Sequence, residues 1–243
     1  MKKKVAIITG ASGAIGRSIA IELSKRNIDL VMIYHKDKKN ILTTLKQVKP
    51  GNHLILKCNL EDPKKIIKIF KVIKNKYKTL NILINNAAFT FQVKPKKLLN
   101  YTNYKNFKKL FFTNFIAPFC LTTYFLKYCD KRSKNNHVIN VISNSIKTLN
   151  ASNGIYIAMK SGLKNFTEYC AFHYHSKANF NSVAPGLILS KNTKNFYYKR
   201  MEKLKKSNPK YFPLNPIDVS RVIIKKILNK KVNGKCIFIN NVK

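Results

Sequence analysis

Short apolar runs alternate with longer amphipathic stretches along this 243-residue chain. Residues 5–9, 29–34, 53–58, 82–86, 137–143, 179–183 and 236–240 are short, apolar and rich in β-branched residues, so they read as strands. Residues 15–26, 39–48, 62–76, 103–130, 155–175 and 216–229 carry apolar side chains at helical spacing. A strand reaches a parallel neighbour only through a crossover, and a helix supplies it. The alternation therefore predicts an α/β fold: one doubly wound parallel sheet of about seven strands with helices on both faces. The length suits a single domain, residues 1–243, with no linker or repeat and enough chain for a full core.

The first strand runs directly into a glycine turn, Thr9-Gly-Ala-Ser-Gly-Ala-Ile-Gly16. Gly10 and Gly13 permit a tight turn, and Gly16 is small enough for a helix to approach the strand closely. Ile15, Ala20 and Leu23 then start a helical spacing. A strand, a glycine turn and a helix N-terminus together present backbone N–H groups and a positive dipole end to a phosphate.

A second constellation carries proton chemistry. Tyr156 and Lys160 are four residues apart, so on a helix they share a face. An ammonium beside a phenol favours the phenolate and brings proton exchange nearer neutral pH. Ser143 stands thirteen residues before Tyr156, at the end of the predicted strand 137–143, where its hydroxyl can hydrogen-bond a substrate oxygen. Ser145 is its rival, without that spacing.

Five ordered motifs covering nearly the whole chain resemble the short-chain dehydrogenases/reductases. Thr9 to Gly16 resembles the family's glycine turn, although Ala14 stands where glycine is usual. Asn85-Asn-Ala-Ala88 resembles its N-N-A-G strand end. Asn114, Ser143, Tyr156 and Lys160 match its catalytic tetrad, and Asn181-Ser-Val-Ala-Pro-Gly186 resembles the segment beside the nicotinamide. The C-terminal stretch 232–241 matches loosely, with Asn240 and Asn241 in place of an acid and a glycine.

The resemblance implies a Rossmann-type domain, an oxidoreductase that transfers hydride between a nicotinamide cofactor and a carbonyl, and a role for each residue. Tyr156 donates the proton, Ser143 holds the oxygen, Lys160 lowers the tyrosine pKa and bonds the ribose, and Asn114 positions a water. The cofactor is expected on Gly10, Ser12, Gly13, Ile15, His35, Lys36, Asn59, Leu60, Asn86, Ala87, Tyr156, Lys160, Pro185, Gly186 and Ile188. Asn59 replaces the family's adenine-binding aspartate. The second strand ends Ile33-Tyr-His-Lys36 without an acid for a ribose 2′-hydroxyl, so Lys36 and His35 point to a 2′-phosphate and NADPH rather than NADH. Residues 187–213, polar and carrying Tyr197, Tyr198 and Phe212, are expected to form a lid over the substrate.

The substrate expected first is that of a 3-oxoacyl-(acyl-carrier-protein) reductase of fatty acid synthesis, with Lys131, Arg132, Lys134 and Lys177 available to the acidic carrier. Pteridine reductases and sugar or polyol dehydrogenases are the alternatives. A silent NADPH- or polyanion-binding protein is the alternative of another class. The long insert from Phe89 to Tyr104 fits neither the oxoacyl nor the pteridine pattern well. Homodimers or homotetramers are expected, with Phe107, Phe111, Phe112, Phe115 and Phe119 available for a helix bundle.

The formal charge is +39, from 43 Lys and 5 Arg against nine acids, with 29 Asn and 8 Gly. The lysines are scattered, and no arginine cluster suits base recognition. This is the signature of A+T-rich coding rather than of a specific nucleic-acid site. No run of about 18 uncharged apolar residues appears, so no membrane span is expected. Met1-Lys-Lys-Lys4 lacks a following signal h-region. Five cysteines without C-x-x-C spacing read as reduced thiols in the cytoplasm, and His173 and His175 suggest no metal site.

Overall fold

The computed structural model describes residues 3–91, 104–133, 135–149, 154–189, 202, 206, 210–230 and 232–240. Seven strands form one sheet: β1 (Val5–Thr9), β2 (Asp29–Tyr34), β3 (Leu54–Lys57), β4 (Ile82–Asn85), β5 (His137–Val141), β6 (Asn179–Pro185) and β7 (Cys236–Ile239). Their order is β3-β2-β1-β4-β5-β6-β7, and every pairing is parallel. All seven lie where the apolar runs predict them. Parallel strands are covered on both faces and so read as continuous apolar runs.

The helices are α1 (Ala14–Ser24), α2 (Lys38–Gln47), α3 (Pro63–Lys76), α4 (Tyr104–Tyr128), α5 (Ser145–Thr148), α6 (Gly154–His173) and α7, which begins as Pro216–Val222 and continues as a π-turn over Ile223–Leu228. The four-residue α5 is not among the predicted helices, being too short for a period to show. Alternate strand residues face opposite layers. Ile7, Val31, Leu83 and Val138 pack with Phe70 of α3, Phe125 of α4 and Cys170 of α6. Ile8, Met32, Ile84 and Ile139 pack with Leu23 of α1, Ile41 of α2 and Ile223 of α7.

Scarce acids hold helix and loop starts. The Asp37 carboxylate accepts the Asn40 N–H ahead of α2, Asp62 accepts that of Lys64 at α3, and Asp218 accepts that of Asn215 at α7. Each satisfies a backbone N–H that the first turn leaves unpaired. Asp37 is therefore occupied as a cap.

α4 is long and apolar enough to cross a membrane by length and composition. In this fold it lies over the sheet, with Leu110, Ala117, Leu121 and Phe125 buried. It is broken by a π-turn at Phe112–Ile116, where the Ala117 N–H reaches back to the Phe112 carbonyl.

The glycines of the first turn are unequal. Gly10 has φ +66°, a conformation that favours glycine, whereas Gly13 is extended and caps α1 without such a demand. Ala14 fits as the first residue of α1. Gly16 is fixed by space: a Cβ there would lie 2.3 Å from the Gly10 carbonyl oxygen and 2.8 Å from the Asn86 amide nitrogen. Gly16→Ala is expected to push α1 off the turn and cost about 1–3 kcal/mol. Urea unfolding of the variant measures it; an unchanged midpoint would show that the close approach is not needed.

Candidate active site

The sheet reverses its winding between β1 and β4, and the crevice at the carboxyl ends of these strands is where an open α/β sheet receives a ligand. A cavity of about 550 Å³ lies there. Of the residues expected at the cofactor, Gly10, Ser12, Gly13, Ile15, His35, Asn59, Leu60, Asn86, Ala87 and Ile188 line it. Lys36 is exposed just beyond the lining. Pro185 and Gly186 lie at the end of β6, where the Gly186 N–H donates to the Ile239 carbonyl at 2.9 Å.

Thr9 and Asn86 stitch the glycine turn to the end of β4. The Thr9 hydroxyl oxygen accepts the N–H groups of Asn86 at 3.0 Å and Ala87 at 2.9 Å. The Asn86 side-chain amide donates to the Thr9 carbonyl at 2.9 Å and the Gly10 carbonyl at 3.3 Å. The turn is thus preformed, with the start of α1 facing the cavity. A dinucleotide fits this cradle: two glycines are required for the close approach, the dipole of α1 suits a pyrophosphate, and the volume falls in the ~300–1,000 Å³ of ligand pockets.

The motifs of the sequence do not reveal the far wall. Lys109 and Thr113 of α4, with Glu61 and Phe89, also line the cavity. The Lys109 ammonium lies 3.9 Å from the Glu61 carboxylate and 4.2 Å from the Phe89 ring centre. Partial burial first, and then the Lys36 charge, hold the His35 imidazole below its ordinary pKa; Lys109 and Lys57 add to this and Glu61 opposes it.

Asn114, Ser143, Tyr156 and Lys160 are not among the residues that line the cavity. Lys160, on the first half of α6, is 2% exposed, and its ammonium donates to the Val141 carbonyl at the end of β5 at 2.9 Å. The Nζ lies 5.8 Å from the centre of the Tyr156 ring. Burial lowers the Lys160 pKa from 10.5 to about 8, because a charge removed from water is disfavoured. Past Val141, the chain stays bonded to β6 through Ile142 N–H to Val183 O and Asn144 N–H to Pro185 O. Ser143 is held between these two bonds.

Asn114 is fully buried within the π-turn. Its side-chain amide donates to the Phe89 carbonyl at 2.7 Å and the Leu110 carbonyl at 3.0 Å, and its oxygen accepts the Phe89 N–H at 3.3 Å. The side chain therefore ties α4 to the strand end of β4. Pro118, four residues on, has no N–H to offer the Asn114 carbonyl.

One expectation changes with the structure. Lys131, Arg132 and Lys177 precede β5 and β6, at the amino-terminal edge of the sheet, opposite the cavity; Asn136 bonds the Asp130 and Lys177 carbonyls there. They do not border the active site, since the C-terminal half of α6, not the half with Tyr156, adjoins them. Lys134 lies outside the described residues, as do Asn241, residues 92–103 of the long insert, and most of the expected lid with Tyr197 and Tyr198. At the neck of that stretch, Leu189 N–H donates to Leu214 O and Leu214 N–H to Leu187 O. No group of three or more His, Cys, Asp or Glu side chains that could hold a metal occurs among the described residues.

A family model described as short chain dehydrogenase matches residues 4–200. The 3-oxoacyl-(acyl-carrier-protein) reductase of Buchnera aphidicola subsp. Schizaphis graminum is 30% identical over 211 residues, 82% of this chain and 81% of that protein. Glucose 1-dehydrogenase 2 of Bacillus subtilis is 25% identical over 76% of this chain and 72% of its own. A benzil reductase of Bacillus cereus is 29% identical over 75% and 74%. Among solved structures, a short-chain dehydrogenase/reductase titled glucose/ribitol dehydrogenase, from Brucella melitensis, superposes with a TM-score of 0.86 at 19% identity, covering 98% of this chain and 95% of that one.

The buried ammonium has a thermodynamic signature. Lys160 titrates lower in the folded chain than in the unfolded one, so between about pH 8 and 10.5 the unfolded chain binds more protons and stability rises with pH. Below pH 8 both states are protonated and the full penalty of burying the charge is present. Relative to Lys160→Met, the native protein should gain roughly 3 kcal/mol across that window. Urea unfolding of both proteins at pH 7.5 and 10.5, about the edges of the window, tests this; a constant difference would refute it.

Proposed function

This chain belongs to the short-chain dehydrogenase/reductase family, and we propose that within it the protein is an NADPH-dependent reductase of 3-oxoacyl thioesters carried on acyl carrier protein. As a member of that family it is an NAD(P)-dependent oxidoreductase acting on alcohol and carbonyl groups. The observation that carries the reading is the buried Lys160 ammonium, fixed at the end of β5 beside Tyr156 and next to a cradle for a dinucleotide.

A bound reduced nicotinamide supplies a hydride to the carbonyl carbon. Negative charge then grows on the carbonyl oxygen. Ser143 donates a hydrogen bond to that oxygen and holds it, and Tyr156 transfers its phenolic proton to it. Lys160 favours the phenolate that results. A water on the Asn114 carbonyl passes the next proton inward. Without these donors the developing charge would have no partner already aimed at it.

The choice of NADPH is supported by the cations around His35: Lys36, Lys57 and Lys109 outnumber the single carboxylate of Glu61. The choice of an oxoacyl thioester is supported by the relative of that name, the most identical of the three. A sugar dehydrogenase is the second reading, supported by the glucose dehydrogenase relative. The five free thiols suit a reducing compartment, and we place the protein in the cytoplasm.

Purified protein should oxidise NADPH with an acetoacetyl-carrier thioester at least about tenfold faster than NADH, and Tyr156→Phe should remove at least about 99% of that rate. Turnover of glucose with either oxidised cofactor, and none of the thioester, would move the assignment to the second reading. Full activity in Tyr156→Phe would remove Tyr156 as the proton donor.

We further propose a homodimer or homotetramer built on α4 and α6. Phe107, Phe119, Tyr169 and Phe172 are exposed on these two helices, and Phe166 of α6 packs against Phe115 and Phe119 of α4. Such a patch costs free energy in water unless a second copy covers it. Light scattering should give a multiple of the 28.0 kDa chain mass, and Phe119→Lys should lower it. A native monomer would overturn the proposal.

A further inference from the structure

We propose that Ser145 is a positioning residue that makes Ser143 a hydrogen-bond donor toward the substrate. The inference rests on the reading of Ser143, Tyr156 and Lys160 as a carbonyl-reducing site.

The Ser143 hydroxyl oxygen accepts two hydrogen bonds from the same neighbour. One comes from the Ser145 backbone N–H at 3.2 Å and the other from the Ser145 hydroxyl at 2.8 Å. A serine hydroxyl has two acceptor positions and one proton. Both acceptor positions of Ser143 are filled, so the proton is what it has left to give. The local fold produces this arrangement. The chain leaves β5 bonded to β6 through Asn144 N–H, and α5 begins one residue later. The first N–H groups of a helix need an external acceptor, and a serine oxygen just upstream supplies it. Asn144, although it stands at the cap position, makes no side-chain cap bond.

The consequence lies in the chemistry of the carbonyl oxygen. That oxygen gains negative charge during reduction and is stabilised by donors already aimed at it. A serine free to rotate can turn its lone pairs toward the site or accept from a neighbouring phenol. Ser143, pinned as an acceptor by Ser145, has those orientations removed. The donation from Ser145 also polarises the Ser143 O–H and strengthens its bond to the substrate.

Ser145→Ala removes the hydroxyl and leaves the backbone contact. With acetoacetyl thioester or benzil as the carbonyl probe, kcat should fall about tenfold while the NADPH dissociation constant stays unchanged. Ser145→Thr should restore the rate to within about twofold. In a Ser143→Ala background, Ser145→Ala should cause no further loss of the residual rate, since it acts only through Ser143. Native kcat in Ser145→Ala, or an equal loss in both backgrounds, would overturn the inference. Tyr156→Phe separates the two levels: full activity there would defeat the reading of the site itself, whereas an inactive Tyr156→Phe with a native Ser145→Ala would defeat the present inference alone. Amide hydrogen exchange provides a readout that needs no turnover. The Ser145 N–H should exchange at least about tenfold faster in Ser143→Ala than in the native protein, and equal rates would count against the inference.

Discussion

The hydrogen bond from the Lys160 ammonium to the Val141 carbonyl is the contact on which the site's geometry turns. It joins the first half of α6 to the carboxyl end of β5. An ammonium with almost no solvent contact is expensive, and burial drives its pKa down toward neutrality. The carbonyl partner and the surrounding fold offset that cost. In return α6 is fixed in rotation, which carries Tyr156, one turn earlier, to the same side. Ser143 follows from the other partner, since it lies two residues beyond Val141 on a chain still paired to β6.

Beneath the site a second polar chain keeps α6 in place. The Asn85 amide donates to Asn140, the Asn140 amide to Thr167, and the Thr167 hydroxyl to the Leu163 carbonyl, at 2.8, 2.8 and 2.6 Å. It spans β4, β5 and α6 within the core. A buried chain of this kind specifies orientation more sharply than apolar packing does, because a small rotation leaves amides unpaired. Abundant asparagine thus becomes part of the scaffold rather than a surface trait. Asn81 does similar work at the other end of the sheet by accepting the Val5 N–H.

The strands and the tetrad are legible in the sequence because their signals are local. Buried parallel strands read as apolar runs, and Tyr156, Lys160 and Ser143 carry fixed spacings. The glycine turn is legible in outline, but sequence cannot rank its glycines: Gly16 is set by a carbonyl six residues back and an amide seventy residues on. Long-range placement is hidden too. Lys109 and Glu61 meet across the cavity from distant elements, and no period joins them. Lys131, Arg132 and Lys177 look close to the active-site helix in sequence, yet a helix of 20 residues is about 30 Å long and its two ends serve opposite edges of the sheet. The π-turn of α4 is invisible because its pattern of apolar residues is that of an ordinary helix.

The charge of the chain is best understood from its acids. There are five aspartates, and each accepts a backbone N–H: Asp29 that of Asn52, Asp37 that of Asn40, Asp62 that of Lys64, Asp130 that of Arg132 and Asp218 that of Asn215. Three glutamates pair with lysines at Glu22, Glu61 and Glu168. Such exposed pairs contribute little, about 0–1 kcal/mol each, and cannot balance 48 cations. The acids stand where the backbone needs an acceptor, while charge balance over the remaining surface is absent. Lysines accordingly stand at both ends of the sheet, Lys36 and Lys109 at the cavity and Lys131 and Lys177 at the opposite edge, so the fold itself sets no side for them.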